Sequence, residues 1–179
     1  MKTKSRPKGR LSRGAQRFRR GPVAGAQYWP PAMVLLASFF TLWPVVSDGG
    51  WWPDMALLVL IAWRLQRPLA FSPWFAPAAG LFNDLIAGHM IGLSVFTFSL
   101  ALIVAELIER RSQWRDWLGE WLVASLLIVV AEVVQWQVAR FAGAPAPIET
   151  IGIPVLIAVL AYPVVSSIIT WVDKKRVRR

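Results

Sequence analysis

Cysteine is absent from this chain, and histidine occurs once, at His89. The first absence excludes disulfides, thiolate metal sites and cysteine nucleophiles; the second excludes a multi-histidine metal centre. Charge is scarce as well. Only 17% of residues are Asp, Glu, Lys or Arg, where a soluble domain carries about 25%. The usual catalytic signatures are missing too: no Walker-type glycine loop, no HExxH, no GxSxG and no carboxylate pair beside a plausible nucleophile. Ser and Thr are scattered without a base nearby. The sequence gives catalysis nothing to stand on, and no cofactor or metal is expected.

What is present is apolar. Of 179 residues 56% are hydrophobic, the mean hydropathy is +0.48, and eleven tryptophans cluster near the ends of the apolar runs. Amphipathic indoles collect in that way at membrane interfaces. The fold class expected is all-α: a polytopic membrane protein, one compact bundle. The net charge of +10 could suggest a nucleic-acid partner, but nine of the twenty Lys and Arg lie in residues 1–20 and five in 174–179. That placement suits membrane orientation and anionic lipid headgroups, so no nucleic acid is expected. Residues 1–28 read as a basic, disordered cytoplasmic tail, 29–173 as the transmembrane domain and 174–179 as a second basic tail. The basic region is too long for a signal peptide, and no small-residue cleavage site follows the first apolar run.

Six apolar runs follow, at about 29–46, 53–65, 74–87, 91–107, 117–139 and 150–172. Pro30 and Pro31 suit a helix entry, Pro44 ends or kinks the first run, and Pro53 suits a first helical position with Asp54 at the helix start. Arg64 and Arg67 are placed to snorkel to headgroups. Runs two and three fall short of the roughly 20 residues of a perpendicular span. Charge nevertheless fits six spans. With both termini cytoplasmic, nineteen of twenty basic residues fall on one side, and only Arg140 falls on the other, as the positive-inside rule demands.

The stretch APAAGLFNDLIAGHMIG, residues 76–92, holds the main polar constellation. Ala76, Gly80, Asp84, Gly88 and Gly92 recur every fourth position, and on a helix they form a stripe along which a neighbouring backbone can approach. Asp84, with Asn83 beside it, is either an interior polar contact or an acid near the outer end reaching interfacial water. If hydrogen bonding alone matters there, Asn would serve in its place. Asp54 reads as a helix-start acid more than a site. Glu132, deep in run five with Gln135 one turn on, fits a polar seam between helices more readily than a proton relay. Glu106 and Glu109 read as a solvated face, and His89 as a loop residue.

On these residues the chain resembles the rod-shape-determining membrane protein family MreD, from about Tyr28 to the C-terminus. The segments that carry the resemblance are PDMALLVLIAWRLQRP, 53–68, and GLFNDLIAGHMIGLSVF, 80–96. They hold a Pro-Asp opening the second span, a Gly-x-x-x-Asp-x-x-x-Gly pattern and a Gly-Leu helix start. The positions are Pro53, Asp54, Gly80, Asp84, Gly88, Gly92 and Leu93. The resemblance implies a non-enzymatic bacterial inner-membrane protein acting with a bitopic MreC-like protein, the actin-like MreB filament, and the peptidoglycan synthase and transpeptidase of the elongation complex. The long basic tail, 1–27, departs from the family pattern. A second, more distant resemblance is to the six-span substrate-binding subunits of energy-coupling-factor vitamin transporters. It would make Asn83, Asp84, His89 and Glu132 pocket residues. Such a pocket needs several convergent polar groups near the outer leaflet, and the chain offers few.

Overall fold

The computed structural model describes residues 26–42, 52–88, 90–111, 117–141, 143 and 149–178. Most of the N-terminal tail, the Pro44 kink, the 47–50 turn, Trp51, His89, 112–116 and 144–148 lie outside the described residues. Among the described residues the chain forms six α-helices and two 3-10 turns, and no strand. The helices are α1 (Trp29–Ser38), α2 (Met55–Gln66), α3 (Phe75–Ala87), α4 (Leu93–Arg111), α5 (Trp117–Phe141) and α6 (Glu149–Arg178). The 3-10 turns, Ala26–Tyr28 and Phe39–Leu42, flank α1.

α2 is the centre. Every residue from Ala56 to Arg64 is buried, because α1, α4, α5 and α6 all pack on it. Around it the other helices form an open ring in which α1 meets α3, α3 meets α4, α4 meets α5 and α5 meets α6. A helix that is apolar on every face has no solvent side, so the run of Ala, Leu, Val and Ile at 56–62 suits this position. The outer helices are sorted differently. On α5 the small or inward residues Ala124, Leu127, Ile128 and Ala131 are buried, while Leu122, Leu126 and Val133 are exposed. Outward-facing Leu and Val fit a hydrocarbon surrounding.

Helix lengths are unequal. At about 1.5 Å per residue α2 and α3 are roughly 18–20 Å long, and α5 and α6 roughly 37 and 45 Å. Two helical segments, Trp117–Phe141 and Ile151–Lys175, are long and apolar enough to cross a membrane; 29–42, 55–66 and 75–87 are shorter apolar helices.

Successive helices reverse direction, which collects side chains at two ends. Asp54, Asn83, Asp84 and Ser94 meet at one, and Arg64, Arg67, Glu109, Glu120 and Asp173 gather at the other. At this second end the snorkelling expected for Arg64 is not what the structure has. Arg64 is only 8% exposed and its guanidinium donates to Glu109 at 2.7 Å; Arg67 pairs with Asp173 at 2.5 Å. Acids on α4 and α6 stand at the same depth, so each guanidinium turns to a carboxylate. Glu109 is accordingly an ion-pair partner and not a member of a merely solvated face.

α6 continues through Pro154 and Pro163. Proline has no N–H, so the carbonyl four residues before Pro163 loses its helical donor. That carbonyl belongs to Val159, and the Trp121 indole N–H of α5 donates to it at 3.1 Å. Trp121→Phe keeps an aromatic ring, though a smaller one, and removes the donor; the lost bond is expected to cost about 1–2 kcal/mol in detergent unfolding. Pro163→Ala restores the internal bond, so in that background the same change should be close to neutral. An equal loss in both backgrounds would mean that the indole acts through packing alone.

Candidate functional site

The polar junction at the Asp54 end is built by three helices. Asp54 is the N-cap of α2: its Oδ1 accepts from the Ala56 N–H at 3.0 Å and the Leu57 N–H at 3.1 Å. The helix therefore begins at Met55. Pro53, expected at the first helical position, instead stands outside the helix, where it is buried, because the cap geometry fixes the start one residue after Asp54. The second Asp54 oxygen accepts from Asn83 Nδ2 at 3.1 Å. The same amide nitrogen donates to Ser94 Oγ at 3.1 Å. Asn83, fully buried, thus ties α3 to the starts of α2 and α4.

Asp84 completes the junction. Its Oδ2 accepts from the Gly92 N–H at 2.7 Å and its Oδ1 from the Ser94 N–H at 2.8 Å. The first N–H groups of a helix have no internal partner, and the helix dipole favours an anion beside them. Asp84 therefore caps α4 from the neighbouring helix, and it is 1% exposed. Of the two readings left open by the sequence, the geometry matches the interior contact.

The small-residue stripe takes a different form from the one the spacing suggested. Ala76, Gly80 and Asp84 lie on α3, but the helix ends at Ala87. Gly88 has φ +67° and Gly92 φ +103°, and a Cβ on either would meet nothing within 4 Å. They turn the chain between α3 and α4, where L side chains are strained. Of these three glycines, only Gly80 is a close-approach one. A Cβ there would lie 2.5 Å from the Ser94 carbonyl oxygen and 2.6 Å from Val95 Cα.

Glu132 and Gln135 stay on α5, both half-buried. Glu132 lies within electrostatic reach of Asp54 but takes no part in the hydrogen bonds joining Asp54, Asn83, Ser94 and Asp84.

The opposite end holds a second network that the sequence reading passed over. Glu120 accepts from Tyr162 Oη at 2.9 Å and Ser166 Oγ at 3.2 Å. Gln66 donates to the Ser166 carbonyl and hydroxyl, each at 2.9 Å, and accepts from Thr170 Oγ1 at 3.2 Å. A signal was present. Tyr162, Ser166 and Thr170 recur every fourth residue, a polar stripe in a mostly apolar run. Two cavities open here, of about 670 Å³ and 1090 Å³, with Arg64 and Glu109 on the walls of both.

Both networks consist of hydrogen bonds and ion pairs between helices, and their chemistry is that of clamps. Among the described residues no cluster of three or more His, Cys, Asp or Glu is placed to hold a metal.

Compared with known families, residues 30–172 match the model of the rod shape-determining protein MreD. The match covers most of the chain, which belongs to that family of rod-shape-determining membrane proteins. No curated protein and no solved structure matches it.

Proposed function

We propose that this MreD-family chain is a non-enzymatic, multi-pass component of the bacterial inner membrane. In this reading it scaffolds the cell-elongation machinery by binding an MreC-like bitopic protein and, with it, the MreB filament and the peptidoglycan synthase and transpeptidase. The observation that carries the reading is the family match over 30–172. The geometry supports it: α3 and α4 are locked at backbone distance by Gly80, Asn83 and Asp84, and a rigid hairpin is what a binding surface requires. Six spans with cytoplasmic termini agree with the one-sided placement of nineteen basic residues. The basic tails then face anionic lipid.

The test is replacement of the resident MreD-family protein of a rod-shaped bacterium with an affinity-tagged copy of this chain. Restored rods, and recovery of an MreC-like protein with cell-wall synthases, are expected. Recovery of a paired ATPase and coupling subunit, with round cells, would overturn the reading. Because the chain has no cysteine, single cysteines at Ser112 and Ser47 report topology without background. Labelling of Ser112→Cys from outside intact cells would overturn the six-span orientation.

A further inference from the structure

We propose that the larger cavity binds a phosphate ester of net negative charge, with Arg64 and Lys174 as its donors. The inference rests on the membrane setting of the proposed function, and goes beyond it by naming a ligand and a site outside the two basic tails. The cavity has a simple origin. α2 ends at Gln66, whereas α4 runs to Arg111, α5 starts at Trp117 and α6 continues to Arg178. Space between those three helices therefore opens beyond the end of the central one. Its volume is about 1090 Å³, room for a lipid headgroup or a small soluble ester. The walls are mixed. Arg64, Gln66, Thr170 and Lys174 offer donors, while Ile108 and Leu122 offer apolar surface. Leu122 is 64% exposed, so the apolar side is open toward surrounding lipid.

What carries the inference is the part of Arg64 that its ion pair leaves unused. A guanidinium has five N–H donors in a rigid fork, and among the described residues the hydrogen bond Arg64 makes runs from Nη1 to Glu109. The N–H groups on Nε and Nη2 have no acceptor there. The Arg64 side chain is 9% exposed and that of Glu109 42%. Bulk water completes the bonding of the half-exposed carboxylate, whereas the remaining Arg64 donors open onto the cavities whose walls Arg64 forms. Unmade bonds of a buried charge are costly, and phosphate oxygens match the fork. Lys174 is a second cation on the larger cavity; it is exposed and joins no hydrogen bond or ion pair among the described residues. The smaller cavity has no second cation among its lining residues. The acids on the walls of the larger one are each held, Glu109 by Arg64, Glu120 by Tyr162 and Ser166, and Asp173 by Arg67. Their three charges balance Arg64, Arg67 and Lys174, so the unspent donors decide the sign of the ligand. Gly119, also on the wall, stands in the first turn of α5, where the positive end of the helix favours an anion.

The experiment is native mass spectrometry of the full chain, both basic tails present, extracted from bilayers with equal parts of phosphatidylglycerol and phosphatidylcholine. The choline lipid brings its own cation beside Lys174 and gives up the gain. Phosphatidylglycerol should therefore be retained about tenfold over it, the ratio expected of one charge-assisted hydrogen bond. Arg64→Lys keeps a cation for Glu109 but loses the fork, and Lys174→Gln removes an exposed charge without breaking a bond. Each should lower the preference severalfold, and the two together should abolish it. Ile108→Trp should fill the cavity and lower retention, whereas Leu160→Trp on the outer face of α6 should not. Addition of glycerol 3-phosphate separates the two sources of the ester. Lipid retained in its presence assigns the site to the membrane; glycerol 3-phosphate bound in place of lipid, and lost in Arg64→Lys, assigns it to a soluble ester. Equal retention of the two lipids with no glycerol 3-phosphate bound would overturn the proposal. So would an undiminished preference in the double variant, which would place the binding in the tails. Rod restoration by the same variants is scored separately, so loss of the ligand and failure of the elongation role can be told apart.

Discussion

Gly80→Ala is expected to give a protein that inserts but cannot close α3 on α4. The added methyl would sit 2.5 Å from the Ser94 carbonyl oxygen and 2.6 Å from its carbon. These are backbone atoms and cannot rotate away, so the helices must separate. Separation stretches the Asn83–Ser94 bond and both Asp84 bonds, which stand at 3.1, 2.7 and 2.8 Å. Overpacking together with weakened buried bonds should cost about 3–5 kcal/mol, a large share of the 5–15 kcal/mol that typically holds a domain. Unfolding in detergent, monitored by tryptophan fluorescence, would read it. Gly88→Ala is the control. Its Cβ meets nothing, and only the φ of +67° is strained, about 1–2 kcal/mol. In cells Gly80→Ala should fail to restore rods at normal protein levels while Gly88→Ala largely succeeds. Equal stability and equal shape for the two would remove backbone approach from the mechanism.

Asp84→Asn, although nearly isosteric, is expected to cost about 2–4 kcal/mol. A carboxylate accepts through both oxygens, and Asp84 uses one for each of two backbone N–H groups. An amide accepts through one. Whichever way Asn is turned, its NH2 faces either the Gly92 or the Ser94 N–H, donor against donor, at the positive end of α4. Asp84→Leu loses both bonds and the charge and should be at least as damaging. Faster amide exchange at Gly92 and Ser94 in both variants is the signature to measure. Wild-type exchange in Asp84→Asn would mean that hydrogen bonding through one accepting oxygen is enough at this junction.

The repeat of four from Ala76 drew attention to Gly80 and Asp84, because small and acidic residues in an apolar run have few other uses. It overran at Gly88 and Gly92. A spacing of four describes a continuing helix, and it is silent on whether a glycine extends that helix or ends it in the left-handed region. Asp54 as a helix-start acid was readable from its place after Pro53. That it also receives Asn83, 29 residues later, was not, since such a bond depends on how α3 lies across α2. The pairs at the other end were hidden for the same reason. Arg64 and Glu109 are 45 residues apart, and each alone looks like a charged helix end reaching for water. The Tyr162–Ser166–Thr170 stripe could have been found by the counting that found the first. Glu120, which accepts from Tyr162 and Ser166, sits at the start of another run and gave no sign of its partners.

The bond from Trp121 to the Val159 carbonyl bears on how the protein is made. Hydrocarbon offers no donor to a carbonyl left open by proline, and such a group costs several kcal/mol there. An α6 released by itself into lipid would carry that cost until α5 reached it. The two helices are consecutive, and α5 emerges first from the ribosome with the indole already in place. The last two helices are thus suited to leave the insertion machinery together, as a finished hairpin, with the defect of one mended by the other before either meets lipid.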